Sequence, residues 1–426
     1  MISMGDYQVQ CTACGQLYSD TGSNECPDRH AALQRTVYTA QHLHCADQPG
    51  MMRFYDWLPI INKPTVTAGP ITYKSEVLAR ELGCSHLYVT FNGFWPERAA
   101  ANKTCSFKEL EAVPTMQRAA EKKSGILVVA SAGNTGRAFA QVAAETKTPV
   151  VVVIPKKSLP RIWTTFPADT VLLITVDGDY SDAISTSTGI ANLPRLTAEG
   201  GAKNCARRDG MGTVMLDAAT TIGRIPDYYV QAVGSGTGAI AAWEAARRLI
   251  RDGRFGDHLP RMILSQNLPF IPMANAWKAG RREIDSMTDM ADATQAISQV
   301  YADVLTNRNP PYGITGGLFD CLTETGGEIL TVSNDEARQA QQLFEECEGI
   351  DLDPAAGVTV ASLITAAAEG LIDPKKNVMI NITGGGYTRV QEEFDLIPVT
   401  AALATDNTTS MDQIARFVND WVKEHA

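Results

Sequence analysis

Short apolar runs, each closed by glycine or by a polar loop, recur along the chain. They alternate with stretches whose apolar residues return every three or four positions. The first pattern predicts buried strands and the second amphipathic helices. Strands are predicted at 87–91, 125–130, 149–154, 171–176, 228–233, 261–265 and 377–382. Helices are predicted over 74–82, 137–144, 180–192, 239–249, 272–280, 335–347, 359–369 and 411–426, with one more ending at Gly223. Strand then helix, repeated, is the pattern of parallel sheets with covering helices. Ser106 and Glu109 have capping-box spacing, which predicts a helix with Lys108 in its first turn. The unpaired N–H groups of that turn disfavour an ammonium and suit a neutral amine or a Schiff base.

Length and composition narrow the class. A chain of 426 residues exceeds what one core usually supports, so two domains with a buried interface are expected. Hydrophobic residues at 44% and charged ones at 20% fit a folded, enzyme-like protein. A net charge of −11, with no basic run, excludes nucleic acid as a partner. No stretch reaches the ~20 apolar residues that span a bilayer, so no membrane partner is expected. Residues 1–6 carry neither a basic head nor an apolar run, which predicts no export signal. Nine scattered cysteines fit reduced thiols, and the expected location is the cytoplasm.

The N-terminus holds Cys11-x-x-Cys14-Gly15, then Cys26-Pro27 and His30, which resembles half of a zinc ribbon. Arg29 stands where a second Cys-x-x-Cys would place its fourth thiolate. His30 is a substitute at Cys-x-x-x-His spacing, and Cys45 lies further on. The expectation is a metal-free remnant over 1–50, folded against the main body. His42, His44, His86 and His258 show no ligand spacing and read as structural.

Three predicted strands end in glycine-rich loops, at 131–136, 234–238 and 383–386. Ligands of open α/β sheets bind outside the carboxyl ends of strands, so these loops could line one crevice. At 234–238 the glycines let backbone N–H groups approach an anion, and the following helix aims its positive end at the same place. A dinucleotide fold would place this motif early and put an acid at the end of the next strand, and here neither holds. Lys156, Lys157 and Arg161 cluster after the strand at 149–154.

Ser106-Phe107-Lys108, Ser131-Ala-Gly-Asn-Thr-Gly136, Gly234-Ser-Gly-Thr-Gly238 and Thr383-Gly-Gly-Gly386 together resemble the fold-type-II pyridoxal phosphate enzymes in order and spacing. With Cys11-x-x-Cys14-Gly15 and Asn204-x-x-Arg207-x-x-Gly210-x-x-Thr213 the chain looks like the threonine synthase branch. Within that branch it is most similar to the cysteate synthase family of methanogens, over about 1–390.

The resemblance implies an α/β fold like that of tryptophan synthase β, two open parallel-sheet domains with pyridoxal 5'-phosphate between them. The large domain would span 51–110 and 205–395 and the small mobile one 111–204, with a helical tail at 396–426. Lys108 would be the catalytic residue and form the Schiff base with the cofactor. Asn134 would meet the ring hydroxyl, Thr383 the pyridine nitrogen, and Gly234, Ser235, Gly236, Thr237 and Gly238 the phosphate. A hydroxyl at the ring nitrogen weakens the electron sink and suits elimination and replacement.

The family reaction implied is β-replacement of phosphate in O-phospho-L-serine by sulfite, giving L-cysteate for coenzyme M biosynthesis, in a homo-oligomer. Ser131, Ala132, Gly133 and Thr135 would hold the substrate carboxylate. Lys156, Arg161 and Arg207, with Lys157 and Arg208, are the candidate anion-binding cations of an acidic protein. Threonine synthases usually read Ser-Phe-Lys-Asp-Arg, where Glu109 and Leu110 stand here. They also tend to carry a lysine where Gly212 stands. These departures leave the cofactor site intact and argue against the threonine synthase substrate. The alternatives are a threonine synthase, acting on O-phosphohomoserine and water, and a paralogue that binds the cofactor without catalysis.

Overall fold

Runs of valine, leucine and isoleucine form the centres of two open sheets in the computed structural model, which describes residues 6–406 and 408–425. The chain begins with β1 (Tyr7–Cys11), β2 (Leu17–Tyr18) and β3 (Gln34–Tyr38), an antiparallel sheet in the order β2-β1-β3. β4 (Ile71–Lys74), β5 (His86–Phe91) and α1 (Lys108–Glu121) follow. Next come β6 (Ile126–Ala130), α2 (Asn134–Thr146), β7 (Val150–Pro155), β8 (Val171–Val176), α3 (Tyr180–Ala191) and β9 (Leu196–Ala198). The second half holds α4 (Cys205–Ile222), β10 (Tyr228–Ala232), α5 (Thr237–Asp252), β11 (Arg261–Asn267), β12 (Glu328–Val332), α6 (Pro354–Ala368) and β13 (Asn377–Ile382). It ends in β14 (Leu403–Thr405) and α7 (Met411–His425).

The smaller sheet has the order β9-β6-β7-β8-β14, with every neighbouring pair parallel. The larger has the order β12-β11-β10-β13-β5-β4, parallel except for β4 at its edge. β7 is buried along its whole length, so its sequence is a continuous apolar run and not an alternation. α1 packs on α4, where a side chain at Gly210 would come within 2.6 Å of Pro114 Cγ. Glycine there lets the two backbones approach.

Two local expectations are corrected. The helix expected over 74–82 is confined to Val77–Glu81, because Thr72 and Tyr73 favour the extended state and pair with β5. The Thr72 and Thr90 hydroxyls meet at 2.9 Å across that pair. The Ser106–Glu109 capping box does not close. Ser106 forms a bridge to Gly384, and Glu109 turns away to accept from the Thr104 N–H and hydroxyl, each at 2.8 Å. The tail beyond 396 is built into the smaller unit. β14 extends its sheet beside β8, and Ile414, Val418 and Val422 of α7 join the apolar cluster of Val151, Leu172 and Ile174.

Candidate active site

The loops after β6, β10 and β13 and the start of α1 converge on a cavity of about 1190 Å³, which also carries residues of α3 and of the segment 304–315. Sequence-distant hydrogen bonds hold Lys108 there. Phe107 N–H donates to Thr383 O at 2.9 Å and Gly385 N–H to Cys105 O at 3.1 Å, so the turn before Lys108 hangs on the loop that follows β13. Beneath it, Asn92 Nδ2 donates to Asn381 Oδ1 at 2.7 Å and to Ile382 O at 3.0 Å, which ties the ends of β5 and β13 together.

Lys108 Nζ lies 3.3 Å from Glu111 Oε2, one turn along α1. The other Glu111 oxygen accepts from Arg207 Nη2 and from the Thr135 hydroxyl, each at 2.9 Å, while Arg207 Nη1 meets Glu199 Oε2 at 2.7 Å. Two cations and two carboxylates therefore alternate across the cavity floor. Burial holds the Lys108 amine below the usual lysine range. Glu111 opposes that shift, the Arg207 charge adds to it, and Glu199 opposes it more weakly. Neither Glu111 nor Glu199 was singled out from sequence. Glu111 had a usable signal, three residues after Lys108 on one helix face.

Ser131, Ala132, Gly133, Asn134 and Thr135 all line the cavity. The Ser131 hydroxyl accepts from the N–H groups of Gly133 at 3.0 Å and Gly136 at 2.7 Å, which shapes the loop and turns the start of α2 inward. Asn134 Oδ1 accepts from Arg137 at 2.9 Å. Asp353, also in the lining, caps α6 through Ala356 N–H, and its second oxygen is buried without a partner among the described residues. Gly234 to Gly238 line the same cavity, with the Ser235 and Thr237 hydroxyls 2.8 Å apart and α5 starting at Thr237. Gly236 holds φ +77°, and a side chain at Gly234 would sit 3.0 Å from Leu305. Thr383 completes the lining.

Of the expected cations only Arg207 lines the cavity. Lys156 and Lys157 are exposed outside it, because the segment 156–161 forms a short 3-10 helix that leads the chain away. Arg161 pairs with Asp303 instead, its two terminal nitrogens meeting both carboxylate oxygens at 2.7 and 3.1 Å. Arg208 is fully buried against Glu244 at 2.9 Å, and it donates to Gln34 O and Ala202 O, locking β3 to α4. Lys203 and Arg282, which the sequence did not flag, stand in the lining.

A family model described as pyridoxal-phosphate dependent enzyme matches residues 72–384. The chain is 56% identical over 423 residues to the cysteate synthase of Methanosphaerula palustris, covering 99% of this chain and 100% of that protein. It is 57% identical over 393 residues to that of Methanoculleus marisnigri, covering 92% and 91%. The folds of an aspartate racemase (TM-score 0.57, 18% identity, 74% of this chain and 90% of that one) and of maize serine racemase (TM-score 0.57, 15% identity, 76% and 91%) are similar. The residues present fit pyridoxal phosphate. Lys108 lines the cavity, the glycines at 234–238 leave backbone room for a phosphate, and Thr383 lines the same cavity. The chain belongs to the pyridoxal-phosphate dependent enzymes, in the branch formed by the cysteate synthases.

Proposed function

We propose that the protein is a cysteate synthase, converting O-phospho-L-serine and sulfite to L-cysteate and phosphate. The observation that carries the reading is one cavity lined both by Lys108 and by the first residues of α2 and α5. Bound there, pyridoxal phosphate supplies an electron sink for the bonds at Cα. Lys108 would hold the cofactor and, when displaced by substrate, move the Cα proton. Its lowered basicity suits a group that must give up a proton as well as take one. Asn134 and Thr383 would face the ring, and the N–H groups of 234–238 would hold the cofactor phosphate.

The substrate carboxylate would be held by the N–H groups at 131–135. The C–O bond to phosphate breaks with its electron pair on the phosphate, and the sulfite sulfur forms the new bond at Cβ. Lys108 then returns a proton to Cα. Because Lys108 and Arg207 are matched by Glu111 and Glu199, side-chain charge on the floor nearly cancels. Anions are then met chiefly by the helix N-termini and by Lys203, whose pair with Glu25 at 3.4 Å is exposed on both sides and so readily exchanged. The small unit would close over the bound substrate and keep water from the reacting Cβ.

A role in coenzyme M biosynthesis, in the cytoplasm and as a homo-oligomer, belongs to the same proposal. All nine cysteines are free, which fits a reducing compartment. No described helix is long and apolar enough to cross a membrane.

The test is phosphate release from O-phospho-L-serine and from O-phosphohomoserine, each with and without sulfite. The expected result is sulfite-dependent cysteate from the first, abolished in Lys108→Ala, whose loss of a proton-transfer group costs at least ~10²–10⁴-fold. Borohydride reduction should leave the pyridoxyl mass on the peptide 106–112. Phosphate from O-phosphohomoserine alone, with threonine as product and no response to sulfite, overturns the reading in favour of threonine synthase. No turnover of either substrate by cofactor-loaded protein favours the inert paralogue.

A further inference from the structure

The N-terminal cysteines play no part in the chemistry above, yet the fold brings them together. Sγ of Cys11, Cys14 and Cys26 and a ring nitrogen of His30 all lie within 4.8 Å of one another. Each pair is presented by a tight turn. Gly15 N–H donates to Cys11 O at 2.9 Å with Gly15 at φ +73°, which folds Cys14 back over Cys11. Arg29 N–H donates to Cys26 O at 2.8 Å with Arg29 at φ 56°. The left-handed turn at Arg29 points the next residue inward, so His30 Nδ1 reaches 3.4 Å from Cys26 Sγ and 4.0 Å from Cys11 Sγ. A tetrahedral zinc ion, with Zn–S about 2.3 Å and Zn–N about 2.1 Å, holds its ligands roughly 3.6–3.8 Å apart.

The surroundings need such a staple. Among the described residues the apolar cluster around these turns is Cys11, Cys26 and Ala32, with Tyr18 at its edge. Leu33 and Tyr38 tie the far side of the sheet to the main core, but the turns that carry the four groups rest on this small cluster, too little apolar burial to secure them.

We propose that Cys11, Cys14, Cys26 and His30 bind one structural Zn²⁺. Four protein ligands close the coordination, which leaves no open position and gives the ion a structural role. Binding sends the three thiol protons to solvent, and the zinc undergoes no redox change. This replaces the metal-free remnant expected from Arg29 at the fourth-thiolate place, since the turn at Arg29 delivers the histidine beside it.

The ion would also brace the active cavity. Thr12, next to Cys11, donates its hydroxyl to Leu33 O at 2.8 Å and Thr315 O at 3.0 Å, and Leu33 N–H donates to Thr315 O at 2.9 Å. Ala31, Leu33 and Thr315 are part of the cavity wall. The knuckle thus holds the part of the cavity wall that Ala31, Leu33 and Thr315 form.

The experiment uses the full-length, cofactor-loaded protein, produced with zinc and purified reduced and without chelator. Elemental analysis is expected to give one zinc per chain. The cobalt-loaded form should show the intense visible bands of a tetrahedral thiolate site. Cys26→Ser and His30→Ala are expected to lose most of the metal and keep the cofactor absorbance, whereas Cys45→Ser keeps both. Should those variants not fold, a mercurial titration of the unaltered protein decides, with three thiols modified per zinc released. Metal-free protein with every thiol titrating freely overturns the proposal. So does a Cys11–Cys14 or Cys11–Cys26 disulfide found by peptide mapping, or zinc fully retained in Cys26→Ser.

Discussion

Lys108 Nζ and Glu111 Oε2 lie 3.3 Å apart, one helical turn from each other, and the same carboxylate also receives Arg207 and Thr135. Glu111 therefore opposes the effect of burial on the amine and joins it to α2 and α4. It stabilises the protonated lysine, whereas burial and Arg207 favour the neutral one. Removing the carboxylate leaves only the second pair.

Glu111→Gln is accordingly expected to lower the basicity of the Lys108 amine released by substrate further, and to move the acid limb of the kcat profile to lower pH. Arg207 keeps Glu199 as a partner, so the variant should still fold. A pH profile that moves the other way, or not at all, would show that the pair does not control the amine.

Much of this arrangement was legible, and for identifiable reasons. β7 and β8 announce themselves because strands covered on both faces are almost wholly apolar, and β10 and β13 remain readable although Gln231 and Asn381 interrupt them. The glycine loops that follow three strands could be placed on one rim for the same reason. β1 and β3 escaped notice, since they are short and alternate, and β3 is anchored by Arg208 and Asp209 from far along the chain. β14 has three residues and no periodicity to read. The cations failed for another reason. A cluster at a strand end gave no means of telling that Arg161 pairs with Asp303 or that Arg208 points away from the site, while Lys203 looked like any surface lysine.

Lys203 gives a direct comparison. It lines the cavity with its side chain about half exposed (49%), 3.4 Å from the exposed Glu25 carboxylate, and Lys156 lies outside. Lys203→Ala is expected to raise KM for O-phospho-L-serine by about 1 kcal/mol, roughly fivefold, with an effect that shrinks as salt is added. Lys156→Ala should stay within about twofold. Equal shifts for the two variants would return the anion site to the 156–161 segment.

Glu109 supplies a stability signature. Burial raises its carboxyl from 4.5 to about 7, against the two Thr104 hydrogen bonds that lower it. The folded value lies above the unfolded one, so the native state binds the proton more tightly. That contribution is fully present below about pH 4.5 and is lost as pH rises through about 7. Glu109→Gln keeps an acceptor for Thr104 and carries no charge. It should unfold at a higher temperature than the unaltered protein at pH 8, by an amount on the order of 3 kcal/mol at most, and match it near pH 4.5. Urea or thermal unfolding at the two pH values checks this. An equal difference at both would remove Glu109 as the titrating group.

Gly236 tests the phosphate cradle. Its φ of +77° lies in the left-handed region, and a side chain there would meet Leu318 Cδ2 at 2.8 Å. The backbone term alone costs about 1–2 kcal/mol for alanine, which is roughly a 5–30-fold loss if it falls on the bound conformation of the loop. Gly223, at the end of α4, has φ +82° and open space around it, so Gly223→Ala carries the same backbone cost away from the cavity. Absorbance titration of both variants with pyridoxal phosphate separates the two effects. Gly236→Ala is expected to bind the cofactor at least fivefold more weakly. Gly223→Ala should lose thermal stability only. Unchanged affinity in Gly236→Ala would mean that the loop 234–238 does not hold the phosphate, and the assignment of the cavity wall would have to move with it.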